Sequence, residues 1–397
     1  MARKKVVHDA DGVVTEDANA ATDGGFDVAH YASVVPPKNP HAKVFADIAA
    51  STKSFRPARE VLTRVRSVPT IFPDVDRVTR VNGWPIERVA VVHGPSSHGK
   101  TVFCHGLGLS FLRRNHMYCP IDAEFTTPHP WLVQLMAEYA DHPGFKASRP
   151  RTYEEAVDDI RAIAEGVAEA KEKERLPPET SALFVVDSIR KLQPRDLLKR
   201  IAKMGASGEK GSVDGYGGGA ARLKAALNAA WLDELVPLMY HTGCAIILVG
   251  RESDDATADA RDRQFGNDWK LTGGKALFFD SSMVVRISLA GKVRDGSGDD
   301  AEIVGERHLV EIHKTKVASK VERVEKAYFH TTHAGFDRAR DLLKLGDDLG
   351  VVKRAGAWVS FNGHRFNGEA QFAAKCPAEM LDELEAACRE KFAKETP

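Results

Sequence analysis

The sequence lacks the features that would place it in a membrane, in an oxidising compartment, or on a polyanion through bulk charge. It has five cysteines and no CxxC pair, so we expect reduced thiols and neither a disulfide framework nor a zinc site. No apolar run approaches the roughly 20 residues that span a bilayer, and we expect no secretory signal because no apolar core follows the start MARKKVVHDADG. Lys plus Arg and Asp plus Glu both number 56, so any binding to nucleic acid must come from a local patch. We therefore predict a cytoplasmic protein.

The apolar pattern predicts an α/β fold in several domains. Residues 1–40 are rich in Ala, Asp, Gly and Pro and are predicted to be disordered, and helical spacing predicts a small helical module in 41–70. Five short apolar runs then alternate with helical segments; they are Arg88–His93, Met117–Ile121, Leu183–Val186, Ala245–Val249 and Met283–Leu289. This alternation predicts a mostly parallel sheet, covered by helices on both faces, in residues 71–330. Helices with short β pieces predict a small α+β C-terminal domain in 331–397.

A phosphate-binding motif follows the first apolar run and precedes a predicted helix. The pattern GxxxxGK[ST] is matched by Gly94, Pro95, Ser96, Ser97, His98, Gly99, Lys100 and Thr101. Backbone amides of such a loop, with the N-terminus of the following helix, hold phosphate oxygens. We predict that Lys100 reaches the β and γ phosphates of ATP and that Thr101 ligates Mg²⁺. Val102 completes the predicted ATP-binding segment.

Acidic residues end two further apolar runs. A P-loop nucleoside triphosphatase needs an acid at the end of a second core strand to hold the magnesium ion's water shell. Asp187 follows LFVV and is the predicted acid, so it joins Thr101 in the metal site. The run CPIDAE supplies Asp122 and Glu124. One of these two is expected to orient the attacking water, and spacing alone leaves the choice open.

These motifs together resemble those of the bacterial RecA recombinases. GPSSHGKT, IDAE, VVDS, LTGGKAL and HKTKVASK occur in that family's order and at compatible spacing. LGVVKRAGAWVSFNGHRF is similar to the family's C-terminal signature. The resemblance covers about Thr70 to Glu369. It implies a RecA-like P-loop ATPase core, a polymerisation role for the N-terminal module, and ATP and Mg²⁺ as cofactors.

The resemblance also assigns individual residues. Glu124 aligns with the family's water-activating glutamate, which favours it over Asp122. Trp131 falls where the family stacks an aromatic ring on adenine. Lys314 and Lys316 match a catalytic lysine pair that reaches the γ phosphate of ATP bound by the neighbouring subunit.

Two DNA-binding loops are implied as well. The first lies between about Pro194 and Gly219, looks longer than is usual for the family, and sits in the window 190–224, which holds nine basic and three acidic residues. Its predicted DNA contacts are Arg195, Lys199, Arg200, Lys203, Lys210 and Arg222. A basic, Gly-rich loop of this kind would bind phosphates in a salt-dependent manner.

The second loop runs from about Glu252 to Leu271 and is not net basic. Its predicted DNA contacts are Arg261, Arg263, Phe265, Gly266, Asn267, Gly273 and Gly274. The triplet that begins at Phe265 keeps the family's spacing to the glycine pair. Phe265 is expected to wedge between base steps.

One position departs from the family's pattern. A glutamine usually ends the strand before the second loop, where it senses the γ phosphate and relays the ATP state to the DNA loop. Arg251 stands here instead. Three contacts are open to Arg251: the γ phosphate, DNA, or an ion pair with Glu252 or Asp254. The coupling between ATP and DNA binding is therefore open.

The predicted function is a DNA-dependent ATPase recombinase that forms helical filaments on single-stranded DNA and exchanges strands with a homologous duplex in recombination and repair. Its partners would be single-stranded DNA, duplex DNA and further copies of itself, with no membrane. It would lie with the nucleoid, or in a host cytoplasm if phage-encoded. The alternatives are an annealing protein or ring translocase on the same core, and a non-catalytic recombination mediator. The segment from Ala355 to Trp358 argues against the ring.

Overall fold

The computed structural model describes residues 7–8, 14–15, 40–51, 65–125, 130–199, 217–254, 269–295, 301–319, 322 and 324–395. The chain divides into two compact units, 1–64 and 65–397. In the first, strands β1 (Val7–His8) and β2 (Val14–Thr15) pair antiparallel, and helix α1 spans Ala42–Ala50. Among the described residues, no helix is both long and apolar enough to cross a membrane.

The second unit holds the remaining elements. Its strands are β3 (Ser67–Val68), β4 (Trp84–Pro85), β5 (Val89–His93), β6 (Met117–Asp122), β7 (Ala182–Asp187), β8 (Ala245–Val249), β9 (Glu252–Asp254), β10 (Trp269–Leu271), β11 (Met283–Asp295), β12 (Glu302–Thr315), β13 (Glu325–Thr332), β14 (Gly335–Phe336), β15 (Lys353–Ala355), β16 (Trp358–Phe361) and β17 (His364–Asn367). Its helices are α2 (Pro73–Thr79), α3 (Lys100–Leu112), α4 (Pro130–Ala137), α5 (Tyr153–Glu172), α6 (Gly217–Thr242), α7 (Lys275–Phe279), α8 (Arg338–Asp348), α9 (Gly368–Lys375) and α10 (Ala378–Glu395).

Within the described ranges, eight strands form one sheet in the order β14-β13-β12-β11-β5-β8-β7-β6. The strands from β11 to β6 in this order run parallel to one another, and β12, β13 and β14 add an antiparallel extension. The prediction of an α/β fold with a mostly parallel sheet is confirmed. Because parallel strands end at one edge, the segments that follow β5, β6, β7 and β8 meet there.

The central strands are buried on both faces, as their all-apolar sequences require. On one face, alternate residues such as Val92 and Ile247 pack in a cluster with Phe103 of α3. On the other face, Val91 and Ile246 pack in a second cluster with α5 and α6. The period-two alternation of strand side chains separates the two clusters.

Helix α5 shows how the sequence fixes the covering helices. The Thr152 hydroxyl accepts a hydrogen bond from the amide of Glu155, whose carboxylate accepts one from the amide of Thr152. This capping box satisfies two backbone donors at the helix N-terminus. The buried residues follow helical spacing and are Tyr153, Ala156, Val157, Ile160, Ala164 and Val167.

The C-terminal residues surround a third hydrophobic cluster. It includes Leu342 of α8, Val359 of β16, Phe372 of α9 and Leu384 of α10. Strands β15, β16 and β17 form a small antiparallel sheet beside these helices. Both this cluster and the large sheet lie in the unit 65–397. The predicted division into domains, including the disordered 1–40 and a boundary near 330, stays a prediction.

Candidate functional site

The carboxyl ends of four parallel strands bring predicted site residues together. The phosphate loop 94–101 follows β5, and Glu124 lies shortly after β6. Asp187 is the last residue of β7, and Arg251 lies shortly after β8. These segments are far apart in the sequence, and the parallel topology places them at one edge of the sheet.

Two glycines allow the phosphate loop to fold tightly. Gly94 has φ 145° and Gly99 has φ 94°, a region of backbone space that favours glycine. A Cβ atom on Gly94 would lie 2.0 Å from the carbonyl oxygen of Ile287, and one on Gly99 would lie 2.6 Å from Nδ1 of His308. Gly99 is also the N-cap of α3. The partial positive charge of that helix N-terminus is therefore available to an anion in the loop.

Lys100 lies within this loop. Its Nζ donates hydrogen bonds to the carbonyl oxygens of Gly94, at 2.9 Å, and Pro95, at 2.6 Å. Burial lowers the pKa of Lys100, although the charge of nearby Asp187 acts in the opposite direction. The ammonium group thus has neutral acceptors, and a charged phosphate oxygen would form a stronger hydrogen bond with it.

Thr101 and Asp187 are in direct contact. The Thr101 hydroxyl donates a hydrogen bond to Oδ2 of Asp187 at 2.6 Å. Burial raises the pKa of Asp187, the Thr101 hydrogen bond lowers it, and the charge of Glu124 raises it further, with a raised pKa as the result. A hydroxyl and a carboxylate side by side are the oxygen ligands that Mg²⁺ prefers. The residues present therefore fit a magnesium site.

Glu124 has two partners on one oxygen. Its Oε1 accepts hydrogen bonds from the Ser188 hydroxyl at 2.7 Å and from Nη2 of Arg251 at 2.8 Å. Burial alone would raise the pKa of Glu124, but the hydrogen bonds from Ser188 and Arg251 outweigh it and lower the pKa. The contact with Glu124 was not among those that the sequence left open for Arg251.

Asp122 is the alternative to Glu124 for orienting the attacking water, and it has a different environment. It lies beside Asp187 on the neighbouring strand, and its Oδ2 accepts a hydrogen bond from Nε of Arg149 at 3.1 Å. Among the described residues, those that line the cleft include Glu124 but not Asp122. The geometry favours Glu124, and its catalytic role stays a prediction.

The site opens into a cleft of about 680 Å³, a volume within the roughly 300–1,000 Å³ of small-molecule sites. One side is lined by residues of the predicted site, namely Ser96, Ser97, Gly99, Lys100, Thr101, Val102, Glu124, Asp187 and Arg251, together with Ser188. Pro130 also lines the cleft and begins α4. The next residue is Trp131, whose side chain lies outside the described residues.

The opposite side of the cleft was not predicted. It is formed by the long antiparallel strands and includes Lys292, Glu306, His308 and Thr331. His308 joins the two sides, because its Nδ1 lies 3.1 Å from the carbonyl oxygen of His98 and its Nε2 lies 3.1 Å from the Thr331 hydroxyl. The signal for this strand in the sequence is weak, because in ERHLVEIH only Val310 and Ile312 are apolar residues spaced by two.

Lys314 and Lys316 lie near the C-terminal end of helix α7. Lys314 donates hydrogen bonds to the carbonyl oxygens of Phe279, at 2.6 Å, and Ser281, at 3.0 Å, and Lys316 donates one to Phe279 at 2.8 Å. Burial and the adjacent charge of Lys316 lower the pKa of Lys314 to about 8. Neither lysine is among the described residues that line the cleft. Their predicted action on a neighbouring subunit's nucleotide stays a prediction.

The predicted DNA contacts are only partly described. Arg195 and Lys199 are exposed in a short helical stretch, 195–199. Gly273 and Gly274 precede α7, and the carbonyl oxygen of Gly273 accepts a hydrogen bond from Nδ2 of Asn228 at 2.6 Å. Outside the described residues lie Arg200, Lys203, Lys210, Arg261, Arg263, Phe265, Gly266, Asn267 and the side chain of Arg222.

Curated relatives cover most of the chain, although no protein-family model matches it. Protein RecA of Geobacter sulfurreducens is 26% identical over 331 residues, which are 83% of this chain and 86% of that protein. Protein RecA 2 of Myxococcus xanthus is 28% identical over 301 residues, which are 76% and 73% of the two chains. Protein RecA of Bordetella petrii is 27% identical over 307 residues, which are 77% and 74%. Identities of this size over most of the chain support a distant relationship to the RecA-type recombinases.

Proposed function

We propose that this chain is a DNA-stimulated ATPase that assembles on single-stranded DNA and catalyses homologous pairing and strand exchange. One observation carries the proposal: a single cleft brings together Lys100 in a phosphate loop, Thr101 bonded to Asp187, and Glu124 bonded to Arg251. These are the parts that ATP hydrolysis requires. Distant similarity to proteins named RecA over most of the chain supports the DNA part of the proposal.

The phosphate side of the cleft would hold Mg-ATP. The amides at the start of α3 and the ammonium of Lys100 would bind phosphate oxygens. Thr101 and Asp187 would hold Mg²⁺, which when bound neutralises negative charge on the phosphate oxygens. Because burial raises the pKa of Asp187, a cation beside this carboxylate would also keep it ionised.

The second carboxylate of the cleft, Glu124, would act on water. The pKa of Glu124 is lowered by Ser188 and Arg251 against the effect of burial, so Glu124 is ionised at neutral pH and can accept a proton. Both hydrogen bonds use Oε1, and we assign the proton to Oε2. A lowered pKa also makes Glu124 a weaker base. Movement of Arg251 away from Glu124 would therefore increase its basicity.

Arg251 would link this chemistry to DNA. It immediately precedes β9, the strand that leads into the second predicted DNA loop. DNA binding that reorders this loop would also move Arg251 relative to Glu124. We propose that the ion pair restrains hydrolysis in the absence of DNA and is released when DNA binds.

Assembly would use surfaces that the chain leaves exposed. In helix α1, Val44, Phe45 and Ile48 are each more than half exposed, and their spacing places them on one side of the helix. An exposed apolar strip of this kind supports the predicted polymerisation module, with a second copy as its occupant. Lys314 and Lys316 would complete the neighbouring subunit's ATP site.

The proposal is tested by ATP hydrolysis and joint-molecule formation, with and without single-stranded DNA. We expect DNA-stimulated hydrolysis, helical filaments in electron micrographs, and ATP-dependent joint molecules between a single strand and a homologous duplex. Lys100→Ala should abolish all three ATP-dependent results. Lys173→Ala is the matched control, because Lys173 is an exposed lysine of the α5 C-terminus that pairs with Glu169.

Two outcomes would contradict the proposal. Closed rings in place of helical filaments would favour a translocase on the same core. Nucleotide binding without hydrolysis, in the presence of DNA, would favour a non-catalytic mediator.

A further inference from the structure

The second predicted loop begins and ends in a two-stranded hairpin, here called the neck, which consists of Glu252–Asp254 and Trp269–Leu271. Its register pairs Trp269 with Asp254 and Leu271 with Glu252. Beyond the neck, the amide of Thr272 donates a hydrogen bond to the carbonyl oxygen of Arg251 at 3.0 Å. The two ends of the loop are thus held together beside the cleft.

A row of three charged side chains and one histidine, here called the charge row, crosses the sheet next to the neck. His93, Arg286, Glu311 and Lys326 are register partners on the adjacent strands β5, β11, β12 and β13. Nη1 of Arg286 lies 3.2 Å from Oε2 of Glu311, and Nζ of Lys326 lies 3.7 Å from Oε1 of Glu311. This charge row ends at His93, the residue that immediately precedes Gly94 of the phosphate loop.

Glu252 joins the neck to the charge row. Its carboxylate accepts two hydrogen bonds from Arg286, each at 3.0 Å, and Oε2 lies 3.2 Å from Nδ1 of His93. The Trp269 ring, on the other strand of the neck, packs against His93 with ring centroids 4.4 Å apart. Both strands of the neck therefore contact the end of β5.

The Glu252 carboxylate is largely buried, with a side chain only 10% exposed. Burial alone would raise the pKa of Glu252, but the contacts with His93 and Arg286 outweigh it and lower the pKa to about 2. A two-pronged arginine–carboxylate pair fixes orientation as well as distance. Removal of one partner from such a buried pair leaves an uncompensated charge, so the contact resists separation.

We propose that Glu252 is a positioning residue that ties the neck of the second loop to the phosphate-loop strand, so that nucleotide binding changes the DNA affinity of that loop. The inference rests on the proposed function, because it assigns DNA to the loop and ATP to the cleft. Two consecutive residues at the start of the loop contact different parts of the nucleotide site. Arg251 contacts Glu124 in the cleft, whereas Glu252 contacts Arg286 and His93 behind the phosphate loop.

The test compares the affinity of the full-length chain for a fluorescent oligo-dT with and without ATPγS. The ratio of the two dissociation constants is the coupling factor, and linkage requires DNA to tighten nucleotide binding by the same factor. Glu252→Gln keeps the shape of the side chain but removes its charge. We expect it to reduce the coupling factor by about tenfold, within the usual range of coupling energies, and to change the nucleotide affinity of the DNA-free protein by less than about twofold.

Matched variants separate positioning from general damage. Ser253→Ala alters the neighbouring, exposed residue of the same strand and should leave the coupling factor unchanged. Arg286→Gln should reduce it as Glu252→Gln does. The double variant should show no further loss, because both changes remove the same ion pair.

Hydrogen exchange in the absence of nucleotide and DNA gives an independent readout. Glu252→Gln should accelerate amide exchange in the neck, while the amides of β7 and β8 stay protected. Unchanged exchange in the neck would overturn the anchoring. If Glu252→Gln has the same large coupling factor as the unaltered chain, the positioning role of Glu252 is overturned and the proposed function is not affected. A coupling factor near one in the unaltered chain would also overturn this role, whereas the proposed function would be refuted separately, by ATP hydrolysis that single-stranded DNA does not stimulate.

Discussion

Two carboxylates at the ends of neighbouring segments of the cleft have pKa values displaced in opposite directions. Asp187 is partly buried, accepts one hydrogen bond from the neutral Thr101 hydroxyl, and has a raised pKa. Glu124 is less buried, accepts hydrogen bonds from Ser188 and the cationic Arg251, and has a lowered pKa. Both line the same cleft.

The difference indicates two separate tasks. A buried carboxylate with a neutral partner gains most from a metal cation, which supplies the missing charge. A carboxylate that an arginine already compensates is ionised without a metal and can receive a proton. Pairs of titratable groups whose environments separate their pKa values are typical of sites that divide labour between two acids.

The largest effect is expected when Glu124, the residue proposed to act on water, is changed. Glu124→Gln should reduce DNA-stimulated ATP hydrolysis by about 10²- to 10⁴-fold, the usual contribution of a general base, with nucleotide binding retained. Asp122→Asn is the matched control, because Asp122 lies next to Asp187 in register but pairs with Arg149. Steady-state turnover of both variants tests the assignment. Equal losses of turnover in the two variants would show that Glu124 has no greater role in hydrolysis than Asp122.

A smaller loss is expected from the phosphate side. Asp187→Asn keeps an acceptor for Thr101 but removes the charge that would hold the water shell of Mg²⁺. We expect the apparent magnesium affinity to fall by about 10- to 100-fold, as for other residues that support a metal site. Titration of Mg²⁺ at saturating ATP measures the change. If excess Mg²⁺ fails to recover turnover, Asp187 has a role other than metal binding.

A modest gain in hydrolysis is expected when the ion pair between Glu124 and Arg251 is removed. Arg251→Gln should raise DNA-independent hydrolysis by about two- to fivefold, since an ion pair as exposed as this one contributes up to about 1 kcal/mol. Arg251 lowers the pKa of Glu124, so its removal should shift the acid limb of the pH–rate profile to higher pH. An acid limb at the same pH in both proteins would show that Glu124 is not the group whose titration sets this limb.

A third carboxylate, outside the cleft, also has a displaced pKa, and its effect is expected on the pH dependence of stability. Glu252 has a pKa of about 2 in the folded chain and an ordinary value of 4.5. A lowered pKa means stability that is present above pH 4.5 and is lost as the pH falls toward 2. We expect urea unfolding of the unaltered chain to lose on the order of 2 kcal/mol more over this range than unfolding of Glu252→Gln. Parallel pH dependences would show that the Glu252–Arg286 pair is not formed in solution.

Much of the fold could be predicted from the sequence because its signals are local. All-apolar runs such as the one that ends at His93 identify buried strands, and the glycines of the phosphate loop identify a tight turn. Thr101 and Asp187 follow from the same motifs, because a phosphate loop requires a second acid at a strand end. Their contact at 2.6 Å agrees with that interpretation.

The rest depends on contacts between distant segments. The sequence places Arg251 after a strand, but only the sheet order brings it to Glu124, which is 127 residues away. The choice between Asp122 and Glu124 likewise depends on which way the chain turns after β6. His308 enters the cleft from an antiparallel strand that carries no motif. Such partners are set by topology, and spacing along the sequence carries no information about them.

The most direct test of the central claim is the rate of ATP hydrolysis by the full-length chain, measured with and without single-stranded DNA, on samples that are also imaged by electron microscopy. We predict that DNA increases the rate of hydrolysis at least about tenfold, a change of about 1.4 kcal/mol in the activation barrier, and that the samples contain helical filaments. Hydrolysis no faster than that of Lys100→Ala, with or without DNA, would contradict the claim that this cleft is a DNA-controlled ATPase site.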